Sequence, residues 1–137
     1  MALGAMNHLA LTLSDLEAAE ESFYRPLLEF LGYGKIEEAE GMTLWFSEAA
    51  AAAVNLFQAA APLKDRPHER YAPGFHHFAF WAESRAQVDE LHALLRKVGA
   101  TVLDPPAEYD YAPGYYAVFF ADPDGMKFEL VHMPLPG

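Results

Sequence analysis

His8-Leu9-Ala10-Leu11-Thr12-Leu13, followed by Ser14-Asp15-Leu16-Glu17, decides the fold, because the chain writes this stretch twice. The second copy is His77-Phe78-Ala79-Phe80-Trp81, followed by Ser84-Arg85-Ala86-Gln87. In each copy, alternation of apolar and other side chains predicts a strand. The Ser-x-x-Glu and Ser-x-x-Gln sequences behind them predict capping boxes that start helices. Leu16, Ala19, Phe23, Leu27 and Leu31 recur at three- and four-residue spacing, and so do Val88, Leu91, Leu95 and Val98. Each set makes one apolar helical face. Pro26 predicts a kink, since it removes a backbone donor. Gly32 and Gly99 stand where helices end.

Outward from these stretches the two halves stay parallel. Strand-like runs over 33–37, 42–47 and 53–58 follow the first helix. A strand at 101–103, a Pro/Tyr-rich loop over 104–114, and strands over 115–121 and 126–133 follow the second. Asp122-Pro123-Asp124-Gly125 joins the last two as a turn, with a role for each residue. The three prolines Pro62, Pro67 and Pro73 mark a linker. Module one is thus expected over 6–59, the linker over 60–73 and module two over 74–134. Two modules this small cannot each bury a core alone. The expected class is α+β: two βαβββ modules whose sheets curl around a shared cleft.

Composition narrows what such a cleft does. Nine Lys and Arg stand against 20 Asp and Glu, a net charge of −11. That balance excludes nucleic acid and anionic membrane surfaces as partners, since both are held by cations. With no cysteine, disulfides, thiol catalysis and Cys-ligated metals are excluded. No apolar run reaches the ~18 residues of a membrane span. The first residues carry no basic leader, so a cytoplasmic protein is the expectation. His, carboxylate, Tyr and Ser/Thr chemistry remains, with or without a metal.

Strand parity selects the candidates. Leu9, Leu11 and Leu13 form the helix-facing side of their strand, as do Phe78 and Phe80, and Phe128 and Leu130. His8, His77 and Glu129 fall on the other side, together with Trp81. Two imidazoles and a carboxylate are a ligand set for a divalent transition metal with open positions. By the same parity His76 and His132 point away. His92 flanks a helical stripe, His68 lies in the linker, and both read as surface residues.

The repeated plan resembles the vicinal oxygen chelate superfamily, which groups glyoxalases, bleomycin-resistance proteins and extradiol dioxygenases. The resemblance rests on His8 to Asp15, Phe23-Tyr24 with Leu31-Gly32-Tyr33, Gly74 to Ala79, and Tyr115 to Gly125 with Glu129-Leu130. It implies a glyoxalase-like fold with a divalent metal (Zn, Ni, Mn or Fe) held by His8, His77 and Glu129. Asn55 occupies the place where glyoxalase I has a glutamate. An amide cannot accept a proton as a carboxylate does, so the resemblance does not extend to plain lactoylglutathione lyase chemistry. It implies a metal-dependent lyase or isomerase for a small oxygen-chelating substrate. Glu129 and Tyr116 would be the catalytic residues, and Asn55, Phe57 and Trp81 would bind the substrate. The 104–114 loop would be a lid or a plain connection. A homodimer is also implied, with ligands from one chain or both. The alternatives within the superfamily are a bleomycin-resistance-like binding protein without catalysis and an extradiol-dioxygenase-like oxidoreductase.

Overall fold

β1, His8–Leu13, runs beside β4, Ala52–Gln58, in parallel, with Leu9 opposite Val54 and Leu11 opposite Leu56. These facts come from a computed structural model, which describes residues 1–135. The chain divides into two compact units, one ending at Arg66 and the other beginning at Pro67. In the first unit β2 (Gly34–Ala39) and β3 (Met42–Ser47) complete an antiparallel run onto β4, giving the sheet order β1-β4-β3-β2. The helical segment between β1 and β2 covers one face. Leu11, Leu13, Phe23, Tyr24, Leu27, Leu28, Trp45, Val54 and Leu56 are buried there. Removing one such side chain from water contributes roughly 1.5–3 kcal/mol, so this face holds the unit together.

That helical segment departs from the expected uniform helix. It comprises α1 (Leu16–Ala19), a π-helical turn (Glu20–Tyr24) and α2 (Arg25–Phe30). Pro26 sits in the first turn of α2, where its missing donor costs least. The irregularity falls just before it, as the wider π turn. The cap also differs from the expected box. Asp15 is the N-cap, accepting from the Ala18 amide at 3.1 Å. Gln58 supplies a second clamp from β4: its Oε1 accepts from the Leu16 amide at 2.9 Å, and its Nε2 donates to the Ser14 carbonyl at 2.8 Å.

The second unit repeats the plan with β5 (His77–Trp81), α3 (Arg85–Lys97), β6 (Thr101–Glu108), β7 (Tyr116–Ala121) and β8 (Lys127–His132), in the order β5-β8-β7-β6. Ser84 caps α3 as its sequence predicts, accepting from the Gln87 amide at 3.2 Å. Val88, Leu91 and Leu95 of α3 are buried, as are Val118, Phe120, Phe128 and Leu130 of the sheet. Asp122 builds the β7–β8 turn by accepting from the Asp124 and Met126 amides at 3.0 and 2.7 Å.

One boundary needs correcting. β6 continues through Asp104-Pro105-Pro106 to Glu108, where a loop was expected. Its pairing to β7 slips between Asp104 and Ala107. The prolines are tolerated because β6 is an edge strand and they occupy that slip. The two sheets and their helices are those of two βαβββ modules.

Candidate functional site

The face of the second sheet opposite α3 carries the site. Ala79 pairs with Glu129, and Phe119 pairs with Glu129 from the other side. Glu129 therefore lies at the centre of the sheet and is only 2% exposed. A carboxylate so buried must be paired or hydrogen-bonded. It has two partners. His77 Nε2 lies 3.1 Å from Oε1, and the Tyr115 hydroxyl donates to Oε2 at 2.6 Å.

Tyr115 is delivered by the loop after β6. Gly114 precedes it at φ +73°, and a Cβ there would come within 2.9 Å of Pro134 Cδ, so only glycine fits. Around Tyr115 stands a set of rings. Tyr111 meets it edge-on at 5.2 Å, Tyr109 stacks on Tyr111 at 5.5 Å, and Tyr109 meets Phe119 at 5.3 Å. Burial and the hydrogen bond to Glu129 push the Tyr115 phenol well above its ordinary value. It therefore stays a proton donor toward Glu129 at all physiological pH.

Tyr116 is the phenol expected from the sequence to be catalytic, but the structure turns its hydroxyl away from Glu129. Tyr116 lies on the helix side of β7, where its hydroxyl donates to Asp89 Oδ1 of α3 at 2.6 Å and Arg85 covers its ring at 4.8 Å. Neighbouring strand residues face opposite ways, so Tyr115 is the phenol on the side of Glu129. The even spacing of Tyr115, Ala117, Phe119 and Glu129's register would have found it. His76 is also closer to the site than parity suggested. Its Nδ1 lies 2.7 Å from His77 Nδ1, because the strand begins only at His77 and the residue before it is free of the pleat. His132 points away as expected, its Nδ1 lying 3.2 Å from the Ala82 carbonyl oxygen. Trp81 is exposed on the face of His77 and Glu129.

In the first unit, His8, Ala10 and Thr12 share a sheet face with Ala53, Asn55 and Phe57. Leu44 and Phe46 of β3 pair with Asn55 and Ala53 on that face. Phe46 and Phe57 are both exposed, and sequence reading had singled out Phe57 alone. His8 is exposed, with its Nδ1 2.8 Å from Asn7 Oδ1. The Asn55 Oδ1 atom is buried without a hydrogen-bond partner. An orphaned acceptor of this kind costs about 1–3 kcal/mol unless a ligand or water satisfies it.

An imidazole nitrogen beside a carboxylate oxygen suits Zn, Ni, Mn or Fe, so the donor chemistry of His77 and Glu129 fits such an ion. They are two donors. Among the described residues, no group of three or more His, Asp or Glu side chains is gathered so as to hold a metal. Among the same residues, no helix is long and apolar enough to cross a membrane.

Comparison with known proteins agrees with this architecture. Residues 5–130 match the Glyoxalase/Bleomycin resistance protein/Dioxygenase superfamily, and the chain belongs to it. The protein YqjT of Bacillus subtilis is 36% identical, over 92% of this chain and 97% of its own. A 2-epi-5-epi-valiolone epimerase from an Actinomyces species is 32% identical, over 95% of this chain and 80% of its own. Lactoylglutathione lyase from Agrobacterium tumefaciens superposes with a TM-score of 0.70 at 26% identity, over 99% of this chain and 98% of its own. The superfamily and these relatives fit a lyase or isomerase kind of protein.

Proposed function

We propose that this protein is a divalent-metal-dependent isomerase or lyase for a small substrate that presents two adjacent oxygens. The observation that carries the reading is the pair His77 Nε2 and Glu129 Oε1, 3.1 Å apart on a face walled by tyrosines. His77 and Glu129 are two ligands in this reading, and His8 is the third. The working unit in this reading is a homodimer, with the ligands drawn from one chain or from both.

A metal at these residues would act as a Lewis acid toward a bound carbonyl or hydroxyl oxygen. The protein's own groups do the rest. Glu129 is the buried carboxylate on this face and the candidate proton acceptor. Asn55 has an amide where a second carboxylate would serve as base, so it binds a substrate oxygen or hydroxyl and moves no proton. Its unsatisfied Oδ1 is suited to accept from a substrate hydroxyl. Phe57 and Trp81, both exposed, are apolar walls for the substrate. His77 as a ligand needs its lone pair at Nε2, hence its proton at Nδ1, where the His76 Nδ1 atom can accept it. The epimerase relative favours isomerisation over elimination. Ligand binding without catalysis, as in a bleomycin-resistance-like protein, is the second reading, supported by the net charge of −11 and the 14% aromatic content, which suit a cationic or aromatic ligand.

The test is metal content of untagged protein by elemental mass spectrometry, beside His77→Ala. We expect about one transition metal per chain in the wild type and little in the variant. No metal in either, after reconstitution with each of the four ions, overturns the enzyme reading in favour of ligand sequestration.

A further inference from the structure

Glu129 has two carboxylate oxygens, and the fold treats them differently. Oε1 faces His77 Nε2 at 3.1 Å, and Oε2 takes the Tyr115 hydroxyl at 2.6 Å. The second contact is short and directed. It is also braced from outside: Tyr111 lies edge-on to the Tyr115 ring at 5.2 Å. Met133 and Tyr115 pack on the small buried cluster of Ala117, Phe119 and Val131, which holds the ring at the sheet.

We infer that Tyr115 is a positioning residue for Glu129: its hydroxyl occupies Oε2 and leaves Oε1 alone, beside His77, as the ligating oxygen. The inference rests on the metal reading above. A carboxylate free on both oxygens can swing to chelate an ion with the pair. One whose second oxygen is already taken presents a single donor, which leaves more of the ion's coordination sphere to a two-oxygen substrate. Hydrogen-bonded partners of a ligand typically change metal affinity by about 10–100-fold when removed. Tyr115 would therefore set how many sites the substrate finds open.

The experiment is a titration with Co(II) alone, followed by visible absorption, on wild type, Tyr115→Phe, and Tyr111→Phe. Tyr111 is exposed and its variant keeps the ring that meets Tyr115, so it reports the loss of a neighbouring phenol hydroxyl alone. We expect Tyr115→Phe to change affinity by about tenfold and to give a weaker d–d spectrum, as Glu129 adds a second oxygen. Tyr111→Phe should match the wild type. Difference infrared spectra of the wild type with and without Co(II) give a reading independent of any variant's folding. Widely split carboxylate stretches indicate ligation through one oxygen and support the inference; closely spaced stretches overturn it. Unchanged affinity and spectrum in Tyr115→Phe also overturn it while leaving the metal site standing. Failure of the wild type to bind Co(II) at all would overturn the metal reading, and this inference with it.

Discussion

At Asn55 stability and the proposed function pull against each other. Its Oδ1 is buried and unpaired, and it shares a face with His8. Asn55→Glu would put a carboxylate there. We expect tighter divalent-metal binding, measured by competition with a chelator. In metal-free protein the new charge lacks a partner, and we expect a loss of about 1–3 kcal/mol in chemical denaturation, recovered on adding metal. Unchanged affinity would mean that Asn55 is not beside the ion. Glu20, in the π turn, shows the opposite arrangement. It is buried, accepts from the Thr43 hydroxyl at 2.6 Å, and pairs with Lys35 and, at 3.5 Å, Arg25. Burial pushes its pKa up, but the hydrogen bonds from Lys35 and Thr43 and the charges of Lys35 and Arg25 outweigh it and leave the carboxyl lowered. A lowered pKa in the folded state gives stability above the ordinary value of 4.5, lost as pH falls through the folded value. Lys35→Met should therefore cost about 2 kcal/mol at neutral pH. The difference in Tm from wild type should shrink as the pH drops below 4.5; a gap independent of pH would locate the contribution of Lys35 in its contact with the Trp45 ring, whose centroid lies 5.8 Å from Nζ.

At the scale of elements, the two helical segments show what local sequence can and cannot specify. α3 has a regular stripe, a Ser84 cap and Arg96 and Lys97 in its last turn, where cations suit the helix dipole. Every local signal agrees, and the helix forms as read. We expect Ser84→Ala to lower stability by about 1 kcal/mol, seen as a lower urea midpoint at unchanged slope. An unchanged midpoint would mean that Gln87, which accepts from the Glu83 amide at 2.7 Å, carries the cap alone. The first helical segment carries an equally regular stripe, yet its middle widens into a π turn. That turn brings Glu20 to Lys35 and Thr43, partners from β2 and β3 that no local window contains. β6 differs in the same way. Its two prolines read as loop, and only its place at the sheet edge lets them be strand.

For the whole molecule, the proposed metal site turns on which chain supplies His8. If His8 of one copy serves His77 and Glu129 of another, two defective chains can complement each other. We expect His8→Ala and His77→Ala, each poor in metal alone, to regain part of the wild-type metal content when co-expressed. A mixed dimer then holds one intact site. No recovery, with mixed dimers verified by mass spectrometry, would place all three ligands on one chain.

The amino-acid sequence alone determined the repeat, the strand and helix order of both modules, and the faces that bear His8, His77 and Glu129. Those are consequences of two-residue and 3.6-residue periodicity, which hydrophobic burial enforces on any chain. The cap at Ser84 and the Asp122 turn were legible for a related reason, since each is closed within a few residues. What only the tertiary structure decided was which phenol reaches Glu129, where β6 ends, and which atoms are left unpaired. Tyr115 and Tyr116 are neighbours of one type, and strand phase alone separates them. That phase is set by β7 pairing with β8, across a distance in sequence that no local pattern spans.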